Sequence, residues 1–278
     1  MKKIIFGLAL SAGLVCSYAQ PIVTPQPSTT QTIKQNFSVG SIELSYSRPN
    51  IKGRKVFGDL VPFGKVWRTG ANNATTLTFT DDVMIGGKDV KAGKYGLLSI
   101  PGATEWTLII TKDLNVTSPS AYKQENDVVR VSCKPTQISQ TIETFTIMFA
   151  NVTNSSTDLQ ILWDNTVAVL PISTNTDAKV MGQIDNIFNK DNKPYFAAAS
   201  YYYDNGKDLT QAKAWVDRAI ADPANAKAFW MTMLKARIQE KMGDKSGAKN
   251  SAEKTIALAT EAKNDDYIKM ATDLMKKL

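Results

Sequence analysis

The chain has 278 residues, with 33 Lys+Arg against 26 Asp+Glu, a net charge of +7, two cysteines and no histidine. Without histidine there is no Ser-His-Asp or Cys-His catalysis and no His-ligated zinc or iron; with two cysteines there is no thiolate zinc site or iron–sulfur cluster. Neither a metal nor a cofactor is therefore expected, while a hydrophobic content of 43% and a charged content of 21% are those of a globular protein long enough for two domains.

Residues 1–19 read as a cleavable signal peptide. Lys2 and Lys3 precede an apolar run from Ile4 to Val15, and Ser17 and Ala19 put small residues before a cut that leaves Gln20 as the new N-terminus. The run is short for a bilayer crossing and no second one follows. The expectation is an exported chain, periplasmic or extracellular, with no transmembrane segment after cleavage. Cys16 raises a lipoprotein alternative, which the bulk of Val15 disfavours. Loss of Lys2 and Lys3 leaves 31 basic residues against 26 acidic ones. That excess is mild and dispersed, so nucleic acid is not expected as a partner.

Residues 20–35, with Pro21, Pro25, Pro27 and a Ser/Thr/Gln cluster, read as a flexible leader. From 36 to 172 the hydrophobic period is two. Ile42, Leu44 and Tyr46 alternate with polar residues, as do Phe145, Ile147 and Phe149, then Leu159, Ile161 and Trp163. Turn signals such as Gly86-Gly87 and Pro101-Gly102 separate the runs. The pattern predicts an all-β sandwich or jelly-roll-like domain. Cys133, alternating with Val129 and Val131, reads as a buried core thiol.

Residues 173–278 change to a helical period. Val180, Ile184, Ile187 and Phe188 share one face, with Asp177 as N-cap, and further helices are expected near 194–203, 210–221, 223–241, 245–262 and 265–277. Ala212-Lys213 and Ala248-Lys249 lie 36 residues apart, as do Ile220-Ala221 and Ile256-Ala257. Phe196, Tyr203, Ala212, Ala219 and Pro223 follow the order of a tetratricopeptide repeat, although Gln239 and Thr255 break it in the second copy. The expectation is an all-α helical-repeat, tetratricopeptide-like domain, with a plain bundle as the rival.

Ser47–Thr75 interrupts the alternation. It carries Arg48, Lys52, Arg54, Lys55, Lys65 and Arg68 against Asp59, together with four glycines and the aromatics Phe57, Phe63 and Trp67. Guanidinium groups bind carboxylate or phosphate bidentately. Arg48, Lys52, Arg54, Trp67, Arg68, Asn72, Asn73 and Thr75 are the candidate ligand-binding residues. The competing reading is structural: Phe57, Val61, Phe63 and Trp67 plug the end of the sandwich, and the arginines pair with Asp59, Asp81 or Asp82. Elsewhere the signals are weaker. Asp81-Asp82 is not a calcium loop, Lys52–Lys55 is not a phosphate loop, and Glu105, Glu125 and Glu143 offer a glycosidase pair with no separation to test.

The runs SYSRP (45–49), KGRKVFGDLVPFGKVWRTGANNAT (52–75) and AGKYGLLSIPG (92–102), with Trp106, resemble the bacterial family of domain of unknown function 2911 over about Ser38–Ile172. The resemblance implies an exported β-rich domain, often followed by helices, and brings no established reaction or catalytic residue. Three functions compete: a non-enzymatic envelope binding module for a small anionic or glycan ligand, with the helices docking a protein partner; a hydrolase or lyase working through carboxylates and lysine; and a structural or assembly protein without a ligand. The first is the expected reading. The second requires an Asp or Glu in a cleft at the Arg48–Thr75 segment.

Overall fold

The computed structural model describes residues 24–188 and 193–278. The expected signal peptide, with Lys2, Lys3 and Cys16, and the start of the expected leader lie outside the described residues. No described helix is long and apolar enough to cross a membrane. The chain divides into a β-rich unit ending at Thr174 and a helical unit beginning at Asn175.

The β unit contains β1 (Thr29–Phe37), β2 (Gly40–Arg48), β3 (Thr75–Phe79), β4 (Val83–Ile85), β5 (Lys88–Val90), β6 (Gly93–Ile100), β7 (Trp106–Thr111), β8 (Asp127–Cys133), β9 (Thr136–Ala150) and β10 (Ser156–Ser173). They form two antiparallel sheets, β1-β2-β3-β6-β7-β8 and β5-β4-β10-β9. Alternating residues of both sheets enclose one core. Ile42, Leu44, Leu77 and Leu97 come from the first sheet, and Phe145, Ile161, Trp163 and Leu170 from the second. The β4–β5 hairpin turns on Gly86 and Gly87 at φ +58° and +76°, as a two-residue turn between right-twisted strands requires. Tyr46 joins the sheets at one seam: its hydroxyl accepts the Ile147 N–H at 3.0 Å, and burial raises its pKa.

β1 occupies residues that the sequence assigns largely to a flexible leader. It pairs with β2 along its whole length, from Thr29↔Arg48 to Phe37↔Gly40. Only Phe37 of its nine residues is buried, because an edge strand draws its order from main-chain pairing. That explains the absence of a hydrophobic pattern. A second feature without a sequence signal is a small core on the outer face of the larger sheet. Leu98 and Ile109 pack there with Val116 and Tyr122 of the β7–β8 connection. Cys133 is only half-buried; burial raises its thiol pKa.

The helical unit contains α1 (Thr176–Phe188), α2 (Tyr195–Asp204), α3 (Leu209–Ala221), α4 (Phe229–Lys241), α5 (Lys245–Glu261) and α6 (Asp265–Met275). Asp208, Asp244 and Asn264 cap α3, α5 and α6 through their side-chain oxygens. The expected cap at Asp177 is corrected: Asn175 Oδ1 accepts the Ala178 N–H, and Asp177, inside the first turn, takes the Tyr201 hydroxyl and Lys207. The helix expected from Pro223 begins at Phe229. Pro223–Asn225 instead forms a 3-10 turn, capped when Asp222 accepts the Ala224 N–H. α3 buries Ala212, Trp215, Val216 and Ala219, and α5 buries Ala248, Ser251, Ala252 and Thr255. These positions match at an offset of 36 residues, and α5 buries Ala259 besides.

Candidate functional site

Residues 49–74 connect β2 to β3, and main-chain bonds pin the segment at both ends. Ile51 N–H donates to Glu143 O at 2.9 Å, and Phe145 N–H to Pro49 O at 2.8 Å, fastening the start to β9. Trp67 and Ser99 exchange both main-chain bonds, at 2.8 and 2.9 Å, fastening the end to β6. Between these anchors the backbone folds tightly. Lys52, Thr69 and Asn72 hold φ at +50°, +54° and +54°. Thr69 is the most unusual of the three, since a β-branched side chain strongly disfavours this region. Its hydroxyl donates to Ser99 Oγ at 3.0 Å, its carbonyl accepts the Thr75 hydroxyl at 2.7 Å, and it is fully buried. Strain held this firmly is characteristic of functional segments. Here it places Arg68 and Gly70 on one hollow, with Thr69 turned into the protein.

The hollow has a volume of about 480 Å³, within the range of small-molecule sites. Lys52, Arg54, Lys65 and Arg68 supply its charge. Trp67 and Trp163 supply aromatic wall, their rings 5.8 Å apart and 17° from parallel. Pro119 comes from the β7–β8 connection and Ser28 from the residues before β1. No Asp or Glu lines it among the described residues.

The cations are held by neutral partners. Arg54 donates from Nε to Ile51 O at 2.9 Å and from Nη2 to Asn50 O at 2.6 Å. Arg68 donates from Nη1 to Thr117 O, and its buried Nε has no hydrogen-bond partner among the described residues. Neither arginine is paired with a carboxylate within the described residues, and the structural alternative of Arg–Asp pairs is not seen. Asp82 instead binds Lys91 at 2.8 Å. Glu143 accepts the Lys52 main-chain N–H at 3.0 Å and is not part of the lining.

The eight candidate residues separate accordingly. Lys52, Arg54, Trp67 and Arg68 meet on the hollow. Arg48 does not: it donates to Phe145 O at 3.1 Å and Thr146 Oγ1 at 3.0 Å, clamping β2 to β9. Asn72 donates to Ser28 O at 2.9 Å, which holds the chain before β1 beside the mouth. Asn73 is exposed and Thr75 is buried, and neither lines the cavity. Lys65, Asn50, Pro119 and Trp163 were not chosen from the sequence. Lys65 stands inside the segment, whereas Pro119 and Trp163 come from 50 to 100 residues further along the chain, and no local pattern marks them. The aromatic residues also do what the structural reading expected. Phe57 sits edge-on to Trp67, Trp106 and Trp163, and Val56 and Val61 are buried. The segment is thus both plug and wall. Phe63 differs, lying 44% exposed with its ring against Gly58.

The β7–β8 connection that brings Pro119 and Thr117 to the site is itself tied down. Tyr122 donates to Asp127 at 2.5 Å, and Arg130 binds Asp127 at 2.9 Å. Burial, then the bond to Asp127, pushes the Tyr122 phenol up to about 12, so it stays neutral at ordinary pH.

Two antiparallel sheets over one core, carrying a cationic cavity with no carboxylate among its described lining residues and followed by a helical unit, define the class of protein. Residues 28–172 match the family described as "Protein of unknown function (DUF2911)", and the chain belongs to that family. No curated protein and no solved structure matches it.

Proposed function

We propose that this chain is an exported, non-catalytic binding module of the cell envelope, whose β unit holds a small anionic ligand and whose helical unit docks a protein partner. The observation that carries the reading is the cavity lined by Lys52, Arg54, Lys65 and Arg68 with no carboxylate among its described lining residues. Four cations gathered in one hollow repel each other, and an anion relieves that repulsion. Backbone carbonyls fix the two guanidinium groups without neutralising them, so the donors are oriented before a ligand arrives. The same composition withholds the carboxylate base that the hydrolase reading needs at this cavity. For the helices, the matched burial of α3 and α5 supports a tetratricopeptide-like stack, an architecture that presents an extended surface to partners. The apolar run after Lys2 and Lys3 supports export.

The test is a calorimetric titration of the mature chain with phosphate, sulfate, benzoate and glucuronate. At least one binds at millimolar concentration or better, and the Lys52→Gln/Lys65→Gln variant weakens it about tenfold or more, as loss of two charges near 1 kcal/mol each predicts. Both lysines are exposed and their side chains make no hydrogen bond among the described residues, so the variant keeps its fold. Silence from all four anions would remove the proposal.

A further inference from the structure

The donor and acceptor balance of this cavity narrows what it takes. We infer that its ligand is an organic anion with an acceptor-only head, a carboxylate or phosphate, on an apolar body, and not a polyhydroxylated sugar. The inference rests on the anion-binding reading and goes further in naming the ligand's chemical class.

Side-chain acceptors are scarce on the wall. Among the described lining residues only the side chains of Ser28 and Asn50 can accept a hydrogen bond. Asn50 Oδ1 already receives the Thr144 hydroxyl at 2.7 Å. Several of the main-chain carbonyls of lining residues are taken too. Ser28 O receives Asn72 Nδ2 at 2.9 Å, Pro49 O the Phe145 N–H at 2.8 Å, and Asn50 O the Arg54 Nη2 at 2.6 Å. Trp67 O receives the Ser99 N–H at 2.9 Å, and Gly70 O the indole N–H of Trp67 at 2.9 Å. The second indole, that of Trp163, donates to Glu143 O at 3.3 Å. Both tryptophans therefore offer a ligand only carbon surface.

Donors, by contrast, are in surplus: two ammonium groups and the remaining terminal guanidinium nitrogens of Arg54 and Arg68. Each sugar hydroxyl taken from water must donate its proton to something, and leaving several undonated is unfavourable. A carboxylate or phosphate only accepts, so it matches the head of the site. The rest of the wall, Pro27, Pro49, Leu60, Pro62, Val66 and the tryptophans, suits an apolar body. Leu60 remains 40% exposed, as an apolar wall awaiting a covering group would be.

The experiment compares three probes by calorimetry on the mature chain: 2-naphthoate, which has both parts; 2-naphthylmethanol, which lacks the charge; and glucuronate, which replaces the apolar body by a polyol. Naphthoate is expected to bind about tenfold or more tighter than either control. Leu60→Asn, at an exposed position, should weaken naphthoate severalfold and so reduce its preference over glucuronate. Glucuronate binding as tightly as naphthoate, with naphthylmethanol weak, overturns this inference and leaves the anion site standing. Naphthylmethanol equal to naphthoate overturns the anion site itself, whereas naphthoate failing to bind where phosphate or sulfate does bind overturns this inference alone.

Discussion

Tyr46 and Gly70 show how much of the β unit's end depends on single atoms. The Tyr46 hydroxyl is the partner of a buried strand N–H on β9. Tyr46→Phe leaves that N–H unmet and should cost about 1–3 kcal/mol in urea unfolding, with little change of shape. Gly70 adopts φ +154°, and a Cβ there would stand 3.0 Å from Ser47 O and 3.1 Å from Thr75 Oγ1. Gly70→Ala should destabilise the protein by about 1–3 kcal/mol and also weaken anion binding, because Gly70 O anchors the Trp67 indole. At this scale the sequence distinguished residue types well and partners poorly. Arg48, Arg54 and Arg68 look alike in the segment. Their different fates follow from the carbonyls within reach, those of β9 for Arg48, of the β7–β8 connection for Arg68 and of its own segment for Arg54.

Two elements of the helical unit account for the imperfect repeat. Gln239 and Thr255 stand where an aromatic and an alanine are expected, and both are buried. Gln239 accepts the Ser251 hydroxyl at 2.6 Å and donates to Asp244 at 3.0 Å, while Thr255 and Thr232 share a hydroxyl bond at 2.9 Å. The second copy has exchanged apolar packing for a satisfied polar network between α4 and α5. Gln239→Leu would strand the Ser251 hydroxyl and loosen the α5 cap, an expected loss of about 1–3 kcal/mol by thermal melting. Asp244→Ala removes the acceptor of the Gly247 N–H and should lose about 1 kcal/mol. The lack of an apolar pattern misdirected the reading of β1 for a related reason. Main-chain pairing leaves no periodic trace when one edge faces solvent and the strand buries a single residue.

At the scale of the whole molecule, three carboxylates of the helical unit have lowered pKa values. Hydrogen bonds from Lys207 and Tyr201 lower the Asp177 pKa. Burial raises that of Asp217, but bonds from Lys213 and Lys235 outweigh it and leave it below its usual 3.8. Lys269 and Lys276 bring Asp273 down to about 2. A carboxylate whose folded pKa is depressed stabilises the fold above its unfolded value, and the contribution disappears as pH falls through the folded one. Acid titration should therefore weaken the helical dichroism between about pH 4 and pH 2. A helical signal unchanged down to about pH 2 would show that these pairs do not govern its acid stability.

Composition and periodicity alone determined the two kinds of secondary structure, the division near residue 173 and the exclusion of histidine chemistry. Those properties depend on local sequence, because a strand or helix must repeat its apolar face at a fixed interval to meet a core. Membership of the family was likewise legible, carried by contiguous runs such as residues 52–75. Only the tertiary structure decided which cations share the cavity, that Pro119 and Trp163 complete it, and that several of its acceptors are already occupied. Those are relations between residues up to about a hundred positions apart, created when the two sheets close over one core, and no single stretch of chain contains them.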